Sequence, residues 1–293
     1  MTFPSVLLIG AMKAGTTSLY FDLAEHPDVF LCGDKEPHAL CSDHVLSEQG
    51  RREYAKVYAA AKDRQILIDA STGYAKRPDF EGIAQRALAT LPAGFQVIYL
   101  VRHPVERIIS HYHHEMSIGQ VGSSIDEAVR KCPRFVNYSR YAYQLEPWLD
   151  AVGLDRIRVV RFEDYADRRL EVIAQLQGFL GLPPTCSSID VDKVYNKSQG
   201  KPIRNRFWSA IYGNPYYRRL VRPLLPVKLR LKIRDRLLPK APERNLRLHP
   251  ETDNWLRNEL TEDVVRLSRL INQSSPLWSD FAAPAPYRRE TPR

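Results

Sequence analysis

Val6-Leu7-Leu8-Ile9-Gly10-Ala11-Met12-Lys13-Ala14-Gly15-Thr16-Thr17-Ser18-Leu19-Tyr20-Phe21-Asp22-Leu23-Ala24-Glu25 decides the fold. Val6 to Ile9 is an apolar run of buried-strand length. Gly10 to Ser18 is a loop rich in small and hydroxyl residues, with one lysine inside it. Leu19 and Leu23 then recur at helical spacing, and His26-Pro27 predicts the helix end. Strand, glycine-bearing loop and helix in that order make a phosphate cradle. The loop turns backbone N–H groups toward an anion, and the helix N-terminus adds its positive dipole.

A Walker loop reads G-x-x-x-x-G-K-[ST]. Gly10 and Gly15 keep its spacing and Thr17 its last place, but Thr16 stands where the lysine belongs. The lysine is Lys13, three residues earlier, and cannot reach the same phosphate by the same path. The loop therefore reads as a cradle for a phosphate other than that of a nucleoside triphosphate. A tight turn without ligand is the plainer alternative.

Working outward, the first half alternates strand and helix signals, as a parallel sheet requires. Val29-Phe30-Leu31, Ile66-Leu67-Ile68, Gln96 to Val101 and Arg158 to Phe162 read as strands. Residues 48–62, 138–150, 168–180 and 251–272 read as helices. Pro104 opens a further helix, with Val105, Ile108, Ile109 and Tyr112 on one face. In such a sheet ligands bind beyond the strands' carboxyl ends. Three polar clusters fall there: the cradle, Asp69 to Tyr74, and Arg102.

The loop pattern G-x-x-K-[AGS]-G-T-[TS]-x-L resembles the 5′-phosphosulfate loop of sulfotransferases that use 3′-phosphoadenosine-5′-phosphosulfate (PAPS). The branch it is most similar to contains the heparan sulfate sulfotransferases and many bacterial enzymes. Leu100-Val101-Arg102-His103-Pro104-Val105-Glu106-Arg107-Ile108-Ile109-Ser110-His111-Tyr112 resembles that family's 3′-phosphate motif. Arginine supplies a planar, always-charged fork for phosphate. A salt bridge at a strand end is the other reading of Arg102, and a surface ion pair the other reading of Arg107. Lys35-Glu36-Pro37-His38 resembles K-E-x-x-[FY], whose glutamate is the family's proposed base; Ala39-Leu40 follow where an aromatic is expected. His38 is a rival base, since imidazole titrates near neutrality. The basic loop Asn196 to Arg204 resembles one that closes over the cofactor, with Lys201 and Arg204 as contacts. The resemblance runs from Val6 to about Asp280 and includes Leu248-His249-Pro250-Glu251-Thr252 and Pro276-Leu277-Trp278.

The fold it implies is α/β of the P-loop NTPase-like type, three-layered, with a central parallel sheet and helices on both faces. The function it implies is transfer of a sulfuryl group from PAPS to a hydroxyl or amine of a small-molecule, sugar or lipid acceptor. Lys13, Ala14, Gly15, Thr16, Thr17 and Ser18 would hold the 5′-phosphosulfate, and Arg102 and Ser110 the 3′-phosphate. A sulfuryl group carries less charge than a phosphoryl group, so Lys13 would serve where kinases use Mg²⁺, and no metal is expected. His111, His113 and His114 do not share one helical face, which argues against a metal there. A P-loop small-molecule kinase is the rival enzyme, disfavoured by the displaced lysine.

The chain of 293 residues suffices for one large α/β domain, expected at 1–285 with a frayed tail at 286–293. With 43 Lys and Arg against 34 Asp and Glu, the net charge is +9, which favours an anionic partner without naming one. A basic helical insertion is expected at 207–248, where eleven cations face only Asp235 and Glu243. It suits acceptor recruitment, peripheral membrane contact, or the non-catalytic role of a polyanion-binding module; nucleic acid is not expected. Cys32, Cys41, Cys132 and Cys186 form no C-x-x-C pair, so free thiols in a reducing compartment are expected. No apolar run approaches the ~18 residues of a membrane span. Animal relatives carry a Golgi anchor ahead of this domain; a chain starting at its first strand reads as bacterial and cytoplasmic. The acceptor and the oligomeric state stay open.

Overall fold

Five short apolar runs become the strands of one parallel sheet. They are β1 (Val6–Gly10), β2 (Val29–Leu31), β3 (Ile66–Asp69), β4 (Gln96–Val101) and β5 (Ile157–Arg161), in the order β2-β3-β1-β4-β5. The structure is a computed structural model and describes residues 1–32, 36–185 and 247–281. Lys35, Lys201, Arg204, the tail from 286, and all of 207–248 except Arg247 and Leu248 lie outside the described residues.

β1 is the centre of the sheet. Every one of its residues is buried, as is β4 from Val97 to Val101. That is why both read as unbroken apolar runs rather than alternating ones: a parallel strand covered on both faces has no solvent side. β1 pairs with β3 on one side and β4 on the other. The strand order reverses around it, so the crevice beyond its carboxyl end is the natural ligand site.

The helices are α1 (Thr16–Leu23), α2 (Glu48–Lys56), α3 (Ile83–Thr90), α4 (Pro104–Ser117), α5 (Ile125–Lys131), α6 (Arg134–Asn137), α7 (Tyr141–Val152), α8 (Phe162–Asp167), α9 (Arg169–Phe179) and α10 (Pro250–Leu270). The helix expected over 48–62 ends at Lys56 and gives way to turns, though Tyr54 and Tyr58 are both buried as its spacing required. Phe162, expected to close the last strand, instead opens α8.

Two buried ties fix the helices that matter. Asp22 on α1 receives Arg169 Nε and Nη2, both at 2.7 Å, and the Tyr165 hydroxyl. This bidentate pair bolts the cradle helix to α8 and α9. Removing one partner of such a buried pair costs ~3–5 kcal/mol, because the other charge is left uncompensated. On the far side, Leu256, Leu260, Val264 and Leu267 of α10 are buried as one stripe. Asp263 beside them accepts from the Ala142 and Tyr143 amides at 3.0 Å and so caps α7.

Candidate functional site

Gly15 is the pivot of the cradle. It caps α1 with φ 92° and ψ 11°, a left-handed conformation that favours glycine. A Cβ there would also lie 2.8 Å from the Phe162 ring. Ser18 and Leu19 donate to Gly15 O at 3.0 and 3.3 Å, which starts the helix. The Thr16 and Thr17 amides precede any intrahelical acceptor and stand at the positive end of the dipole. Thr16 and Ser18 are buried, while Lys13 and Thr17 are half-buried. Lys13 takes φ 72°, a left-handed backbone in the middle of the loop. Ala14 is fully buried and fixes the turn by donating to Ala11 O at 3.1 Å.

The second cluster meets the cradle through that same aromatic. Arg102, which follows β4, places its guanidinium 5.1 Å from the centre of the Phe162 ring, the ring that Gly15 also approaches. Arg102 Nη2 lies 3.3 Å from Glu106 Oε2, so the strand-end salt bridge is present as well. Ser110 is buried on α4, one helical turn beyond Glu106 on the same face. The structure thus brings Gly15 and Arg102 to one ring, with Ser110 further along the helix that starts there.

Arg107 is not a surface residue. It is fully buried, and its Nη1 reaches Met12 O of the cradle at 3.5 Å. The surface ion pair read as its alternative is overturned: α6 and the residues after it close over α4 and seal the guanidinium inside. His113, also on α4, is held below its ordinary range by burial and then by the Lys13 charge.

On the other flank of β1 the chemistry changes sign. Asp69 ends β3 fully buried and accepts from the Tyr54 hydroxyl (2.6 Å), the Tyr74 hydroxyl (2.8 Å) and Ser71 Oγ (2.7 Å). Burial raises this carboxyl, and the three hydrogen bonds pull it back toward ionisation. Ser71 Oγ in turn accepts from the His38 amide at 3.0 Å. Thr72 donates to Glu36 Oε1 at 3.3 Å, and His38 Nε2 sits 3.2 Å from Glu36 Oε2. The two rival bases are therefore in contact, and a serine and a threonine hold them to the end of β3. Both carry positive φ, 67° and 53°, which only a firmly anchored loop sustains. The turn Thr72–Ala75 then packs on the cradle: a Cβ on Gly10 would lie 3.1 Å from that of Ala75.

Sequence reasoning noted Asp69 to Tyr74 as a polar strand end and gave it no role. The signal was there in the run Asp69-Ala70-Ser71-Thr72, but its partners lie far away in sequence. Lys76 was passed over as well. Half-buried over the Tyr138 ring at 5.9 Å, its ammonium is lowered by burial, against the pull of Glu36.

The cradle's donor set suits an oxyanion: backbone amides, three hydroxyls and a lysine, with no acidic residue between Gly10 and Ser18. Comparison with known proteins gives that anion a context. The model of the sulfotransferase domain matches residues 87–210, a span that includes Arg102, Arg107 and Ser110. Over that span the chain is similar to the sulfotransferase family. Human heparan sulfate glucosamine 3-O-sulfotransferase 6 is 26% identical over 216 residues, covering 68% of this chain and 58% of that protein. Human bifunctional heparan sulfate N-deacetylase/N-sulfotransferase 1 is 25% identical over 298 residues, 94% of this chain but 31% of the relative. The chain thus spans a little over half, or less, of these relatives. In fold it is similar to a sulfotransferase from Alicyclobacillus acidocaldarius, at TM-score 0.65 and 20% identity, over 94% of this chain and 98% of the other. A mouse sulfotransferase complexed with PAP shares the fold at TM-score 0.53 and 12% identity, over 93% and 88% of the two chains.

Proposed function

We propose that this chain is a PAPS-dependent sulfotransferase that moves a sulfuryl group onto a hydroxyl or amine of a small molecule or sugar. One observation carries the reading. A donor-only cradle and an acid–base pair, Glu36 with His38, stand at adjacent strand ends, joined through Thr72 and the Ala75–Gly10 contact. The donor substrate would supply an activated sulfuryl group on a 5′-phosphate. Lys13, Thr16, Thr17 and the α1 amides would hold that phosphate, with Lys13 opposing charge on its departing oxygen. Arg102 and Ser110 would hold the 3′-phosphate, and Arg102 would exchange its Glu106 partner for it. The acceptor's proton would pass to the Glu36–His38 unit, since a hydroxyl is a poor nucleophile until its proton leaves.

A sugar acceptor is supported by the relatives, whose names specify heparan sulfate glucosamine. No helix among the described residues is long and apolar enough to cross a membrane, and we propose that the domain acts from the aqueous phase.

Calorimetric titration tests the reading most directly. Adenosine 3′,5′-bisphosphate should bind at least tenfold more tightly than ATP. Radiolabelled PAPS offered with aminosugar and hydroxyl acceptors should then yield a labelled product. Equal affinity for ATP, with phosphoryl transfer from Mg·ATP, would move the chain to the kinases.

A further inference from the structure

We infer that Arg107 is the built-in counter-charge of the phosphate cradle, a buried cation whose matching anion is brought by the nucleotide. The inference rests on the functional reading above and names a charge which that reading does not use.

Arg107 is 0% exposed, yet among the described residues the partners of its guanidinium are neutral. Nε donates to Ser139 Oγ at 2.6 Å, and Nη2 to Phe135 O at 2.6 Å. Nη1 points between Met12 O at 3.5 Å and His111 Nδ1 at 3.4 Å. His111 is itself driven down to about 2 by burial and then by Arg107, so it stands neutral and accepts through Nδ1. Glu115, the carboxylate on the same helix face, is spent elsewhere: His111 Nε2 lies 3.3 Å from it and Arg134 Nη2 3.0 Å. Among the described residues no carboxylate comes within ion-pair distance of Arg107.

A buried cation surrounded only by dipoles is solvated but not neutralised. Proteins bury charge at heavy cost unless it is paired. A salt bridge would have been the cheaper way to pin α4 to α6, so the missing carboxylate needs a reason. The site of the charge supplies it. Met12 is the residue before Lys13, and the whole loop from Gly10 to Ser18 carries no acid. A cation fixed behind that loop in a water-poor interior attracts a phosphate in front of it far more strongly than an exposed one would. The same guanidinium donates to the Met12 carbonyl at 3.5 Å and so ties the loop to the buried charge.

Two variants separate charge from scaffolding. Arg107→Gln removes the charge and keeps an amide donor; Arg107→Lys keeps the charge and loses the fork to Phe135 and Ser139. Affinities are read by calorimetry for adenosine 3′,5′-bisphosphate and for adenosine 3′-monophosphate, which lacks the 5′ group. The glutamine variant should bind the bisphosphate about ten- to a hundredfold more weakly, with 3′-monophosphate affinity nearly unchanged. The lysine variant should recover most of the loss. Wild-type affinity for the bisphosphate in Arg107→Gln overturns the inference. So does an equal loss for both nucleotides in both variants, which marks a scaffold. If Arg107→Gln does not accumulate folded, Arg107→Lys decides alone: a loss of tenfold or more for the bisphosphate refutes the charge role, and near-native binding supports it. A wild-type chain that binds neither nucleotide overturns the functional reading itself, and this inference with it.

Discussion

On the β4 side of the central strand, the site is made of donors locked by backbone: α1's first amides, Lys13 in a left-handed turn, and two arginines. On the β3 side it is made of acceptors locked by side chains: Thr72 holds Glu36, Ser71 holds the His38 amide, and Ser71 in turn is held by Asp69. The first half can receive an anion with no rearrangement, because amides and helix dipoles are fixed once the chain folds. The second half keeps the proposed proton acceptor in place through two hydroxyl-to-carboxylate bonds, Ser71 to Asp69 and Thr72 to Glu36, and one amide-to-hydroxyl bond, His38 to Ser71. A charged leaving group and a proton in transit ask for opposite surroundings, and the sheet separates them by one strand spacing.

Glu36→Gln should show the largest effect. It preserves size and removes the proposed base, so kcat should fall by ~10²–10⁴. Binding of adenosine 3′,5′-bisphosphate should not move, because that ligand belongs to the other half. His38→Ala in parallel reports on the pair. Since the two groups touch, we expect both to lose turnover, and a fully active His38→Ala would leave Glu36 as the sole base. If Glu36→Gln also loses nucleotide binding, the division into two halves is wrong.

Lys13→Ala comes next. Loss of one such preorganised charge typically costs ~10²–10³ in rate. Bisphosphate binding should remain measurable, because the amides and hydroxyls of α1 are still in place. Near-normal single-turnover rates with PAPS would show that the leaving group is stabilised by something else.

Arg102→Ala should act on selectivity more than on rate. A hydrogen bond to a charged group is worth roughly 1.5–3 kcal/mol, so the preference for the 3′,5′-bisphosphate over 5′-AMP should fall about ten- to a hundredfold. An unchanged preference would take the 3′-phosphate elsewhere, with Lys201 and Arg204 next in line for the same titration.

The two halves were also unequally legible in the sequence. Gly10 and Gly15 fix the cradle by spacing, and the apolar runs at 6–9, 66–68 and 96–101 fix the strands beside it, because local rules govern both. Arg102 and Ser110 fall on one helix and could be read together for the same reason. Arg107 sits in that motif as well, but spacing alone does not say that α6 will bury it. The β3 half depends on tertiary pairing. Asp69 meets Tyr54 across 15 residues, and Thr72 meets Glu36 across 36. No periodicity encodes such partners, so Glu36 was legible only through resemblance and its anchor not at all. Helices α3, α5, α6 and α8 escaped because they are short: eight, seven, four and six residues. Isolated helices of that length are marginal and owe their form to packing.

The smallest effect should come from Ser71→Ala, which cuts one link in the side-chain relay. Ser71 Oγ joins the His38 amide to the Asp69 carboxylate at 3.0 and 2.7 Å. Removing it leaves Thr72 still holding Glu36, and Tyr54 and Tyr74 still holding Asp69. A single hydrogen bond of this kind contributes about 0.5–1.5 kcal/mol net, so kcat should drop by up to about tenfold through looser placement of the pair. Nucleotide affinity should be unchanged, and so should the effect of Lys13→Ala when the two are combined, as for independent sites. The double variant makes the test quantitative. Additive losses in log kcat mean that the relay and the cradle act independently, as two halves built on different supports should. A combined loss well short of additive would mean that the relay reaches the cradle through the Thr72–Ala75 turn, and that base and leaving-group stabiliser move as one body.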